Sequence, residues 1–223
     1  MKTDAELKQD VMEELKWEPD VKAAAIGVAV QDGIVTLTGT VDTYMQKVSA
    51  ERAAERIYGV KGIAQEIKVK LPNSFMRDDG DIALAAANAL AWNASVPDDR
   101  VMVKVQDGWV TLSGDVDFRY QKNAAYDAIC GLMGVTGVTN LVGIKPPQKP
   151  ATKEMPSEIR AKIETAFRRH ALLDARRVAI QVSDGKVILD GSVHSFAEKK
   201  EAELAACSAP GICEVENNIS INP

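Results

Sequence analysis

Aromatic side chains are scarce: three tryptophans, four tyrosines and four phenylalanines, 5% of 223 residues. So few rings argue against a large aromatic-walled pocket. Histidine is scarcer, with only His170 and His194, and neither sits in an HExxH or other familiar ligand spacing. His194 stands where a helix begins, which predicts a capping or surface role. Phosphate-cradling GxxxxGK and GxGxxG loops are missing as well. These absences exclude the common catalytic constellations, so no catalytic residue, metal site or cofactor is expected. Three cysteines are too few, and odd in number, for a disulfide scaffold. Cys207 and Cys213 could bridge, but free thiols are the expected state. No apolar run exceeds about eight residues (Ala23 to Val30), far short of a membrane span. A net charge of −5 leaves no whole-surface grip on nucleic acid. The start, MKTDAELKQD, lacks an apolar stretch after its lysine, so the expected address is cytoplasmic, or periplasmic if the N-terminus is truncated.

What the chain does have is repetition. VAVQDGIVTLTGTVD at residue 28 recurs as VKVQDGWVTLSGDVD at 103 and IQVSDGKVILDGSVH at 180, offsets of 75 and 77 residues. The offsets bring Leu7, Val11 and Leu15 onto Ile82, Ala86 and Leu90, then onto Ile159, Ile163 and Phe167. They also align Lys47, Lys122 and Lys199. Such a period defines three copies of one unit. The predicted organisation is 1–70, a linker at 71–79, 80–145, a proline-rich linker at 146–155, and 156–223. Five of nine prolines fall in the stretches 71–80 and 145–156 around these linkers, and the second reads as a semi-rigid spacer. A unit of about 65 residues buries only about 60% of its unfolded surface, so the copies should pack on one another.

Each copy reads as helix, strand, strand, helix, strand, an α+β unit with two helices on a small three-stranded sheet. Apolar residues at four-residue steps mark the first helix. Thr3 with Glu6 forms a capping box, Asp81 is a candidate cap, and Ser157 follows Pro156. Alternating strands flank Asp32-Gly33, Asp107-Gly108 and Asp184-Gly185, the sequence of a type I′ hairpin. Gly39, Gly114 and Gly191 close the second strand, where a positive φ or a close backbone approach is expected. Thr43 with Gln46 and Ser195 with Glu198 box the second helix, while the middle copy relies on Asp117. Its buried face is small, with Ala50, Ala53 and Ala54 in copy 1. Gly59, Gly134 and Gly211 are placed to stop it. Gly33, Gly108 and Gly185 complete the set of nine structural glycines. The final strands are predicted from Ile63 to Val69, Val138 to Ile144 and Val215 to Ile221.

The αββαβ order, the DGxVxLxGxV core and the GVxxVxN-like ending resemble the BON domain, the osmotic-stress, nodulation and transport-associated domain of bacterial proteins. The resemblance covers nearly the whole chain. It implies non-enzymatic domains, several of them tied to phospholipid or envelope association and stress resistance, and one cytoplasmic relative that binds potassium. Most relatives have two copies and are exported or lipid-anchored; this sequence has three, and no lipobox cysteine.

By copy, the charge splits into −2 (10 basic, 12 acidic), −3 (6 and 9) and 0 (11 and 11). The third copy holds a locally basic stretch with Arg160, Lys162, Arg168, Arg169, Arg176 and Arg177, suited to anionic headgroups. Trp17 and Trp92 occupy equivalent positions, and Trp109 points outward from its strand. These rings are expected to fill contacts between copies, the other reading being interface anchors. Tyr44, Phe118, Tyr120 and Phe196 gather at the start of the second helix with the same two readings. The leading expectation is a binding module for anionic phospholipid or an envelope-linked protein partner, using the basic helix with Trp109, Phe118 and Tyr120. A second is a soluble cation or small-ligand sensor, motivated by Asp98, Asp99, Asp107, Asp115 and Asp117. A third is a self-assembling scaffold, hence a homo-oligomer, built through sheet edges.

Overall fold

The structure is a computed structural model that describes residues 2–145, 155–169, 177–183, 185–209, 212 and 214–222. Arg176, Gly211, Cys213, His170, Asp184 and most of the second linker lie outside the described residues. Copy 1 comprises α1 (Asp4–Trp17), β1 (Ile26–Gln31), β2 (Ile34–Val41), α2 (Tyr44–Glu55) and β3 (Gly62–Val69). Copy 2 comprises α3 (Asp79–Ala91), β4 (Val101–Gln106), β5 (Trp109–Val116), α4 (Arg119–Cys130), β6 (Gly137–Asn140) and β7 (Gly143–Ile144). Copy 3 comprises α5 (Pro156–Arg169), β8 (Val178–Ser183), β9 (Lys186–Val193), α6 (Phe196–Cys207), β10 (Glu214–Asn217) and β11 (Ser220–Ile221). The fold is α+β, three small mixed sheets each covered by two helices.

In each copy the second strand is the centre of the sheet. β1 pairs antiparallel with β2, and β3 pairs parallel with it on the other side. The parallel pairing follows from α2, which carries the chain back to the end of the sheet where β2 began. Leu7, Val11 and Leu15 of α1, Val35 and Leu37 of β2, and Ala50, Ala53 and Ala54 of α2 are all buried. Both helices therefore share one face of the sheet. Val35 and Leu37 are fully enclosed, each worth about 1.5–3 kcal/mol of burial. Alanine along α2 lets that helix lie close to β2.

The first two hairpins are type I′, with φ of 53° and 81° at Asp32-Gly33 and 51° and 74° at Asp107-Gly108. Each of these turns is held from outside. The Asp4 carboxylate accepts from Asp32 N at 2.8 Å and Gly33 N at 3.0 Å. Asp79 accepts from Asp107 N and Gly108 N, both at 2.9 Å. Copy 3 has Pro156 at the equivalent position, a side chain with no carboxylate to offer. Gly39, Gly114 and Gly191 do mark a close approach: a Cβ would stand 2.1, 2.0 and 2.1 Å from the carbonyl oxygens of Ala25, Arg100 and Arg177.

Several local expectations are corrected. Asp78, not Asp81, caps α3, accepting from Asp81 N at 2.8 Å. Helix α5 begins at Pro156, whose missing N–H suits the first helical position, so Ser157 lies inside the first turn. Phe118 takes the cap position of α4 and its side chain has no acceptor; Gln121 Oε1 accepts from Asp117 N and Phe118 N instead. The Asp117 carboxylate turns to Arg100 at 2.8 Å. Gly59 and Gly134 carry positive φ but follow the helix ends at Glu55 and Cys130 by a turn. The last strand is continuous in copy 1 and broken after Asn140 and Asn217 in the others. Those amides accept from Val142 N and Ile219 N and donate to Lys122 O and Lys199 O.

The copies meet through their second helices, at matching positions. Tyr44 of copy 1 joins Tyr126 of copy 2, hydroxyl to hydroxyl at 2.9 Å. The equivalents of Tyr44 and Tyr126 one copy on are Arg119 and Glu203, which pair at 2.7 Å. The equivalent of Tyr44 in copy 3, Phe196, packs against the core of copy 1. One helical turn along, Val48 packs in the cluster that contains Cys130, and the corresponding Lys200 reaches Glu55 at 3.5 Å. Position 44 of each copy thus serves the next, and the third returns to the first. Such a head-to-tail contact that closes after three units defines an approximate threefold ring.

Candidate binding surface

Closure through α2, α4 and α6 leaves the ends of the first helices in solvent. Trp17 is 83% exposed and Trp92 is 90% exposed. The expectation that these rings fill contacts between copies is overturned. The contacts lie on the second helices and the turns that flank them, while Trp17 and Trp92 lie at the C-terminal ends of α1 and α3. Arg169 holds the same position at the end of α5. Under a threefold relation the three side chains stand at one height along its axis. The signal was present in the sequence as equivalent positions 17, 92 and 169; what it lacked was which helix closes the ring.

Trp109 begins β5 and is 49% exposed. Its ring lies across Gly137, where a Cβ would come within 2.4 Å of it, and its Nε1 donates to Thr139 Oγ1 at 2.8 Å. Met102, paired with Ser113 as Gln106 is with Trp109, shares that open face of the sheet. On the equivalent face of copy 3, Lys186 pairs with Glu214 at 2.9 Å and Glu216 at 2.8 Å. Phe118 and Tyr120 are exposed and stack at 5.7 Å. They lie beyond the far end of β5 from Trp109, roughly 25–30 Å of extended chain away. The structure therefore does not join these three rings. The other two aromatics of that group, Tyr44 and Phe196, are contacts between copies.

In the third copy Arg160 pairs with Glu164 at 2.8 Å within α5. Lys162, Arg168 and Arg169 are exposed on the same helix, and Arg177 directly precedes β8, near His194. His194 stands at the entry of α6, where its backbone N–H donates to Glu198 Oε2 at 3.1 Å, and it also reaches a neighbouring copy. Its carbonyl accepts from Gly59 N at 2.9 Å and its ring lies 4.9 Å from that of Tyr58, across the join between copies 3 and 1.

The acidic residues of copy 2 are dispersed. Asp115 pairs with Lys145 at 2.6 Å and Asp117 with Arg100. Among the described residues no three potential ligands converge on a metal position. The thiols sit at the joins, Cys130 buried and Cys207 partly so, both free. Burial pushes the Cys130 thiol up to about 11 and raises Cys207 too. Burial likewise raises Tyr44 and Tyr126. These groups stay protonated and unreactive at neutral pH. Among the described residues no helix is long and apolar enough to cross a membrane.

A chain of three αββαβ units joined through their second helices is a tandem-repeat α+β protein in its architecture. It belongs to the BON domain family, whose model matches residues 3–70, 78–146 and 157–223. The osmotically-inducible protein Y of Escherichia coli (strain K12) is 28% identical over 191 residues, covering 83% of this chain and 92% of that protein. Among solved structures, CdsD, a structural protein of the type III secretion system of Chlamydia trachomatis, aligns over 98% of this chain and 93% of that one. Its identity is 15% and the TM-score 0.27. The C-terminal domain of CdsD aligns over the whole of both chains at 14% identity and the same TM-score. Neither superposes closely.

Proposed function

We propose that this chain is a non-enzymatic, stress-related binding module that docks peripherally on anionic phospholipid. The observation that carries this reading is the solvent-facing pair Trp17 and Trp92, with Arg169 at the third equivalent position. Indole rings favour the membrane interface, where the apolar body is buried and the N–H stays wet. Cations near an anionic surface add about 1 kcal/mol each. Lys162, Arg168 and Arg169 on α5 would contribute that attraction, alongside Arg177. The resemblance to an osmotically-inducible protein supports the link to stress.

Cosedimentation with phosphatidylglycerol vesicles at low and moderate salt tests the reading, with phosphatidylcholine vesicles as reference. Binding is expected to anionic vesicles and to weaken with salt. Burying about 60 Å² of ring contributes roughly 1.4 kcal/mol, so Trp17→Ala with Trp92→Ala should lower the partition at least about tenfold. No sedimentation with anionic vesicles at either salt would refute it.

A further inference from the structure

Copy 3 differs from its siblings between its two helices. In copy 1 the Arg56 guanidinium bridges from the end of α2 to Glu14 of α1 at 2.9 Å, with Ile57 beside it. The same three positions in copy 3 are Ala166, Ser208 and Ala209; copy 2 keeps a large apolar residue, Leu132, at the third. Removing that bulk leaves an open groove of about 450 Å³ between α5 and α6. Its size falls within the range of small-molecule sites. The floor is alanine with Ile163, and Lys162 and Arg169 border it. Among the described residues no carboxylate lines it. The hydroxyls of Thr165 and Ser208 donate to Ala161 O and Leu204 O, both at 2.8 Å. The polar border of the groove is therefore cationic, at Lys162 and Arg169, seven residues or roughly 10 Å apart along α5. In copy 1 the positions of Lys162 and Arg169 are Asp10 and Trp17, and in copy 2 they are Ala85 and Trp92. The groove and its positive border occur together in the third copy.

We propose that this groove binds one monomeric single-chain anionic amphiphile, a long-chain carboxylate, with its chain on the alanine floor and its head at a flanking cation. The charge complement selects the occupant: an apolar channel bordered by cations suits a tail that ends in an anion. A basic helix face alone would not need the missing Glu–Arg pair, nor the alanine in place of isoleucine or leucine. Binding here is distinguishable from docking on a bilayer: Lys162 and Arg169 border both, but the chain enters a concave site in copy 3, whereas the bilayer reading needs the exposed tryptophans of copies 1 and 2.

The test titrates the full chain with decanoate below its micelle concentration, by calorimetry, with decyltrimethylammonium as the same tail bearing the opposite charge. Saturable binding of decanoate, at least tenfold tighter than the cationic analogue, is expected. Ala166→Glu combined with Ser208→Arg restores the filling pair of copy 1 and should weaken decanoate at least tenfold. Ala209→Ile, which restores the copy 1 side chain by itself, should also weaken it. Circular dichroism reports that both variants are folded, and both should keep the vesicle binding of the parent chain. Equal affinity for the two amphiphiles, undiminished decanoate binding in a folded groove-filled variant, or no saturable binding would each overturn the proposal.

Discussion

Alkaline pH should loosen the join between copies 1 and 2 before it affects anything else there. Cys130 is 2% exposed and lies in one cluster with Val48, Tyr44 and Met45 of the neighbouring copy. Burial raises its thiol from 9.0 to about 11. Because the folded state holds this proton more tightly than the unfolded chain, unfolding at pH 10 releases it. The stabilisation is therefore complete below pH 9 and is lost as pH rises through about 11. Two pKa units correspond to at most about 2.7 kcal/mol, and solvent at the rim of the join reduces that to roughly 1–2 kcal/mol. Tyr44 and Tyr126, also raised by burial, act in the same sense from pH 10 upward. Urea unfolding followed by circular dichroism from pH 8 to 11 measures this loss. Cys130→Ala starts less stable because it leaves a cavity, but its stability should fall less across the window, by roughly 1–2 kcal/mol. Parallel pH profiles for parent and variant would refute the assignment of a buried, protonated thiol at this join.

Two further outcomes concern the frame. Gly114→Ala places a methyl carbon 2.0 Å from Arg100 O at φ of 116°, and should cost more than about 2 kcal/mol in thermal unfolding. Gly131→Ala, with nothing within 4 Å of its Cβ, should change stability by less than about 1 kcal/mol and serves as its control. A double-mutant cycle on Arg119→Ala and Glu203→Ala should give a coupling of about 1–2 kcal/mol. A coupling near zero would mean that copies 2 and 3 are not joined through this pair.

Local grammar was legible where one residue type has one geometric use. Asp-Gly between alternating strands needs positive φ, and the turns are built that way. Gly114 repeats because any side chain there strikes a carbonyl. Caps were legible only in part. Asp81 lies near a helix start and so does Asp78, and only the helix start itself decides which of them accepts. Asp117 could not be assigned without knowing that Arg100 lies beside it, across a separation of 17 residues. The candidate surface was half legible: the tryptophans were conspicuous, but their exposure was not.

The sequence by itself determined three units, their order of helices and strands, and their membership of one family, because those depend on periodicity and on backbone geometry that glycine permits. The tertiary structure decided the ring. Its three joins occupy the same positions but use different chemistry: Tyr44 with Tyr126, Arg119 with Glu203, and Phe196 on an apolar core. A search for repeated residues is blind to such positions, since what repeats there is geometry. The difference has a physical use, because three unlike joins favour one neighbour for each copy and disfavour the exchange of one copy for another. Ring closure then set what sequence patterns could not, which side chains are left facing solvent.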